Sequence, residues 1–252
     1  LAGPRQQAMT TAPQIPDRVT AFGQSHDPSP AVIHARDVNV EPATDDWPFL
    51  YLQNRHFPSH YAWALTLVLF VSTAAVLLAL RGQPGTWSWQ FFLLGAAFML
   101  LETKSIIQFA LLWGSTWVVA SMAIAAVLTM ALASNFVVSK FEIRRHWLVC
   151  GILVALLAAN YLLPVGRIGF ENRAFESLFY ALLVFSPILC SGLIFGSAIK
   201  HSKTLSRDYG TNLLGAMVGG VGEYLSLVTG FNTLLLIIAI LYVGAVAARK
   251  RR

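Results

Sequence analysis

The residues with most chemical potential lie where the chain is otherwise apolar. Glu102, Lys104 and Gln108 sit within "FFLLGAAFMLLETKSIIQFALLWG", and Asn212 and Glu223 within "DYGTNLLGAMVGGVGEYLSLVTG". An ionisable side chain in hydrocarbon costs about 3 kcal/mol even on permissive insertion scales, so each must face protein or water and find a partner. Such groups bind a small polar ligand, pass a proton, or form a buried ion pair that only fixes helix register. Glu102 and Glu223 are the acidic contacts a small cationic ligand would use. No nucleophile–base constellation, phosphate-cradling glycine loop or zinc spacing accompanies them, so no catalytic residue, cofactor or metal is assigned.

Glu102 and Lys104 are two residues apart and point to nearly opposite sides of a helix, whereas partners three or four apart meet. Depth suggests another match. Lys104 lies 15 residues past Trp89 and Glu223 lies 15 past Asp208, which puts each about 22 Å along its helix. An interhelical Lys104–Glu223 pair is expected, leaving Glu102 to Ser105 or other polar groups. Asn212, Gly215, Gly219, Glu223 and Ser226 recur at three- and four-residue steps and form one small, polar stripe. Gly215 with Gly219, and Gly192 with Gly196, have the GxxxG spacing that lets helices approach closely. Leu227 is expected to face lipid. The shared "LLGA" at Leu93–Ala96 and Leu213–Ala216 is read as chance similarity.

A second constellation precedes the apolar region. Asp45 and Asp46 are followed at once by Trp47, Pro48 and Phe49. The aromatics suit a membrane interface and the proline fixes the turn, so the stretch reads as an anchor whose carboxylates cap a neighbouring helix or bind an arginine. A catalytic carboxylate pair is the sharper alternative, with no partner base to support it. His56 and His60 flank Pro58 and read as interfacial histidines rather than metal ligands. Cys150 and Cys190 read as small buried thiols, and Pro187 as the site of a kink.

The elements that must position these groups are membrane helices. The chain has 252 residues, of which 56% are hydrophobic and 12% charged, about half the charge of a soluble domain. Seven segments have the length and apolarity of spans: Tyr61–Leu80, Trp89–Leu112, Trp117–Val138, Trp147–Leu163, Leu178–Ile199, Tyr209–Thr229 and Thr233–Ala248. The expected class is an all-α membrane protein of about seven transmembrane helices, with an extended, mostly irregular segment before them. Residues 1–60 form that segment, with one short strand at Ala31–Val38, and residues 61–252 form the helical domain. The chain begins at Leu1 with no signal sequence and is expected to be the tail of something longer or a processed product.

Charge sets the orientation. With alternating sides, Arg81, Lys140, Arg144, Arg145, Lys200, Lys203, Arg207, Arg249, Lys250, Arg251 and Arg252 share one face, while Arg55, Arg167 and Arg173 share the other. Lys and Arg are retained in the cytoplasm during insertion, so the C-terminus is cytoplasmic and residues 1–60 lie outside. The net charge of +6 is therefore a topology signal and not a nucleic-acid footprint, with anionic lipid at the "ARKRR" end as an additional partner. Trp63, Trp89, Trp113, Trp117 and Trp147 fall at segment ends, where indoles meet headgroups.

Three stretches carry a family likeness. "TDDWPFLYL" (Thr44–Leu52), "GAAFMLLETKSIIQFALLWGSTW" (Gly95–Trp117) and "GTNLLGAMVGGVGEYLSLV" (Gly210–Val228) resemble the C-terminal membrane portion of polytopic, spermidine-synthase-like bacterial inner-membrane proteins. The resemblance implies an upstream methyltransferase-like (aminopropyltransferase-like) Rossmann-type domain, joined to the helices through the DDWPF stretch. The glycine-rich loop and catalytic aspartates of such a domain have no counterpart in these residues, so no catalytic residue is carried over. The donor of aminopropyl transfer is cytoplasmic, whereas the charge count puts residues 1–60 outside; what transfers is architecture rather than chemistry. The resulting expectation is a membrane module whose polar site binds or moves a small cationic ligand. The alternative is a non-catalytic accessory subunit of a larger inner-membrane assembly. Expected partners are the lipid bilayer and either other membrane subunits or an upstream soluble domain.

Overall fold

Apolar runs of some twenty residues leave the backbone no polar neighbour but itself, and each such run in this chain closes its hydrogen bonds as a helix. The computed structural model describes residues 44–49, 52, 55–83, 85–163 and 172–249. The expected strand at Ala31–Val38 lies outside them, as do Arg167 and the last three residues. Among the described residues, seven helices of at least 17 residues follow one another: α1 (Ser59–Ala79), α2 (Trp89–Trp113), α3 (Trp117–Lys140), α4 (His146–Leu162), α5 (Arg173–Lys200), α6 (Leu205–Gly222) and α7 (Phe231–Ala247). α1, α2, α3 and the Phe175–Lys200 stretch of α5 are long and apolar enough to cross a membrane, which makes this a multi-pass membrane-embedded chain. α5 starts five residues earlier than its apolar run, at Arg173. α6 tightens into a 3₁₀ turn at Glu223–Leu225 and one further helical turn at Ser226–Thr229.

Side-chain contacts give the helix directions. Along α2, Phe92, Ala96 and Leu100 meet Gly215, Gly219 and Gly222 of α6 in ascending order, so these two helices run parallel. α3 and α5 are also parallel, with Ser134 on Gly192, Val138 on Gly196, and Lys200 Nζ donating to the Val138 carbonyl at 2.9 Å. α2 opposes α5, since Phe91 meets Phe195 at one end and Phe109 meets Phe185 at the other. α1 opposes α6, with Leu80 on Gly210 and Tyr61 on Tyr224. α4 opposes α7: Asn160 and Phe231 share one cavity, while Trp147 and Val246 share another at the far end. Each helix therefore reverses the one before it.

α2 lies at the centre, touching α3, α5, α6 and α7. The α2–α6 seam is the closest, because side chains are missing where the backbones meet. A Cβ at Gly95 would collide with the Asn212 carbonyl, one at Gly215 with the Phe92 carbonyl, and one at Gly219 with the Ala96 carbonyl. On α5, Gly192 leaves room for the Ser134 side chain and Gly196 for Val138. The apolar core, including Leu94, Leu101, Ile188, Leu234, Ile238 and Tyr242, surrounds α2 on its other sides. α1 is peripheral; Val76 is its one buried residue.

α5 continues as a single helix through Pro187. Proline lacks the N–H that would serve the carbonyl four residues back, so Leu183 needs another donor. Asn160 of α4 supplies it, Nδ2 to the Leu183 carbonyl at 2.8 Å, with the Ser186 hydroxyl a longer second donor at 3.5 Å. Asn160 is thus a buried polar residue required by a proline on the next helix. Asn160→Leu should destabilise the detergent-solubilised protein by about 1–3 kcal/mol, the usual penalty of an orphaned buried acceptor. In a Pro187→Ala background, which restores the helical donor, the same change should cost clearly less in thermal unfolding. An equal cost in both backgrounds would refute the assignment.

Candidate functional site: a polar cavity beneath the aspartate–tryptophan segment

Residues 44–49 form a tight turn, Thr44 and Trp47 exchanging backbone hydrogen bonds at 3.1 and 2.9 Å. The turn drives Trp47 into the protein, where it is 1% exposed. This corrects the expectation of a lipid-interface aromatic. The physical reason lies at the end of the α6 region, whose last carbonyls have no helical partner; the Trp47 indole N–H donates to the Leu227 carbonyl at 2.8 Å. Leu227, expected to face lipid, is instead buried against Trp47 and Leu52. Phe49 stacks on Phe231 at 5.5 Å, and the Arg55 guanidinium sits 5.7 Å from the Trp47 ring.

Asp46 caps α7. Its backbone carbonyl accepts from Phe231 N–H at 2.9 Å, and its carboxylate Oδ1 accepts from Asn232 N–H at 2.7 Å. The helix's own N-cap, Gly230, has no side chain to offer, and its φ of +85° suits glycine. A Cβ there would also strike the Asp46 carboxylate. The helix start and the aspartate therefore fit as one unit, and the positive end of α7 faces a negative charge.

Below this cap lies a cavity of about 580 Å³ whose polar lining is Asp45, Asp46, Lys104, Gln108, Asn160, Tyr161 and Asn232. Lys104 is buried, with 4% of its surface exposed. Its ammonium donates to the Gln108 amide oxygen one turn along α2, and the Asp46 carboxylate lines the same cavity. Asn160, committed through Nδ2 to α5, presents a buried Oδ1 with no hydrogen-bond partner among the described residues. Asp45 is exposed at the mouth.

The structure thus joins two groups that look unrelated in sequence, the Asp45–Asp46 pair and the Lys104–Gln108 pair. It separates others. The expected Lys104–Glu223 ion pair does not form: Glu223 lies beside Thr103, whose hydroxyl donates to the Met99 carbonyl at 2.7 Å. Neither depth nor facing was met: Gly215 and Gly219 lie against Phe92 and Ala96, which puts Glu223 level with Leu100, one turn before Lys104, and α6 packs on the Phe92–Ala96–Met99 face of α2. Thr103 continues that face, and Lys104 is turned 100° from it. Asn212 donates to the Phe91 carbonyl at 3.0 Å and serves the seam. Ser105, expected near Glu102, donates to the Val184 carbonyl at 3.3 Å. Glu102 is half-buried and outside the cavity lining. His56 and His60 are exposed, and both cysteines are buried thiols.

Sequence reasoning missed Asn160 and Asn232. For Asn160 the signal existed: an isolated asparagine in one apolar helix and an isolated proline in the next imply a vacated carbonyl to be served. Asn232 contributes through its backbone N–H, which its residue type does not announce. Comparison of the chain with protein-family models, with curated proteins and with solved structures gives no match.

Proposed function

We propose that the chain is the seven-span membrane module of a spermidine-synthase-like protein, and that the Asp46 cavity receives a small organic cation. The observation that carries the ligand class is the cavity lining. Two carboxylates, Asp45 and Asp46, stand against one ammonium, Lys104, a formal balance of −1. The unpartnered Asn160 Oδ1 adds a further acceptor. Acceptors in excess favour a ligand rich in N–H donors, such as a di- or polyamine, over a carboxylate or phosphate. Because Gln108 also holds the Lys104 ammonium, the lysine keeps a partner when an incoming amine shares Asp46.

The seven-span reading rests on the strict reversal of successive helices. α4 and α7 have 17 residues each, about 26 Å against a hydrocarbon core of about 30 Å, a mismatch that local thinning absorbs. The basic face described above then lies in the cytoplasm of a bacterial inner membrane, with the Asp46 cavity opening outward. A second reading, a structural accessory subunit, is favoured by α1. That helix leaves most of its apolar circumference uncovered, as a docking helix would.

Titration of the purified protein with spermidine and putrescine, followed by calorimetry, tests the ligand class. Both amines should bind, and Asp45→Asn should weaken binding about tenfold, the ordinary weight of one charge-assisted hydrogen bond. Succinate binding as well as the amines, or no amine binding, would overturn the reading in favour of the structural one. Orientation is checked separately in intact cells with a membrane-impermeant thiol reagent. Ser59→Cys should be labelled from outside and Glu142→Cys only after lysis; labelling of both from the same side would exclude seven alternating spans.

A further inference from the structure

The end of the bundle away from the Asp46 cavity holds a second cavity, of about 1660 Å³. Four connections meet there: the approach to α2, the α3–α4 loop, the α5–α6 loop and the end of α7. Its fully charged side chains are Arg144, Arg145, Lys203 and Arg249 against Glu142 and Asp208, four cations less two carboxylates, or +2. Both carboxylates are engaged. Glu142 lies 3.3 Å from Arg144 and 3.6 Å from His201, and the buried Asp208 accepts from the Ser202 hydroxyl at 2.6 Å. Among the described residues, Arg145, Lys203 and Arg249 enter no ion pair.

Two further features give the cavity a direction. α2 and α4 both begin at it, and neither N-cap, Ser88 or Arg145, folds its side chain onto the first turn. Their leading N–H groups supplement the guanidinium donors. The rim carries Trp87, Trp89 and Trp147, all exposed. Exposed indoles beside apolar helix surface, here Leu148, mark the depth at which lipid headgroups sit.

From this combination we infer that the cavity binds the phosphate headgroup of an anionic phospholipid. Arg145, Lys203 and Arg249 contact the phosphate, and the acyl chains run past Trp147 along α4. Arginine's planar fork pairs with phosphate oxygens in two parallel hydrogen bonds. A soluble phosphate ester offers the same group, but it would gain nothing from the tryptophan rim. The inference is independent of the amine reading, since the two cavities share no residue.

The test is native mass spectrometry of the detergent-purified protein with equal amounts of phosphatidylglycerol and phosphatidylcholine. Retained phosphatidylglycerol should exceed phosphatidylcholine by about tenfold or more, given the usual contribution of several basic groups. The Arg145→Gln/Lys203→Gln/Arg249→Gln variant should bring the ratio near unity. Arg81→Gln/Lys140→Gln, two basic changes at the same end but outside the cavity, should leave it high. Should the triple variant fail to fold, Arg249→Gln alone must still lower the ratio severalfold. No preference in the unmodified protein, an equal loss in the control variant, or an unchanged ratio in Arg249→Gln would each overturn the site. Displacement of the lipid by excess soluble glycerol phosphate would overturn its lipid source.

Discussion

A lysine buried inside a lipid-embedded bundle needs a polar or charged partner, or the helix carrying it will not stay in place. In this protein the answer does not come from another membrane helix. Asp46, on the stretch just before the first helix, brings a carboxylate to the cavity that Lys104 lines. The same carboxylate caps α7, so one aspartate borders the cavity of a buried lysine and holds an exposed helix start. Much of the local structure follows from that double duty. Gly230 must be glycine to admit the carboxylate, and Trp47 must turn inward to hold the segment against the Leu227 carbonyl. A cavity remains where the segment spans α2, α4 and α7.

The second constraint is the absence of side chains between α2 and α6. Helices in lipid gain little from burying apolar surface against each other and depend on close packing and interhelical hydrogen bonds. Gly95, Gly215 and Gly219 allow carbonyl-to-backbone contact, and Asn212 adds a hydrogen bond to the Phe91 carbonyl. This seam commits the Phe92–Ala96–Met99 face of α2 to α6. It thereby fixes the opposite fate of Lys104, which turns toward α4 and α7. Packing of glycines on one face decides where the charge on another face can find its partner.

The helical, membrane-embedded class was legible because length and apolarity of a run determine it without reference to neighbours. The capping role was legible as one of two alternatives from the carboxylate-aromatic-proline order, though only Asp46 of the pair performs it. The partner of Lys104 was not. Counting residues gives depth within one helix, but the register between two helices and the faces they share are settled by contacts far apart in sequence, and here both differed from the expectation. Asn160 shows an intermediate case: its reason is Pro187, 27 positions on, and only the α4–α5 pairing makes the connection. The backbone N–H of Asn232 carries no sequence signal at all.

The central claim, that Asp46 is the counter-charge holding Lys104 and with it the outer segment, is tested most directly by a double-mutant cycle. Asp46→Asn keeps the α7 cap but removes the charge, and Lys104→Met keeps the volume but removes the ammonium. Unfolding of the single and double variants in the same detergent gives their coupling. The account predicts that the two losses are not additive. The double variant should be more stable than their sum by about 1–3 kcal/mol, the range for residues that share an interaction. Losses that add within about 0.5 kcal/mol would contradict it and would leave Lys104 held by Gln108 alone.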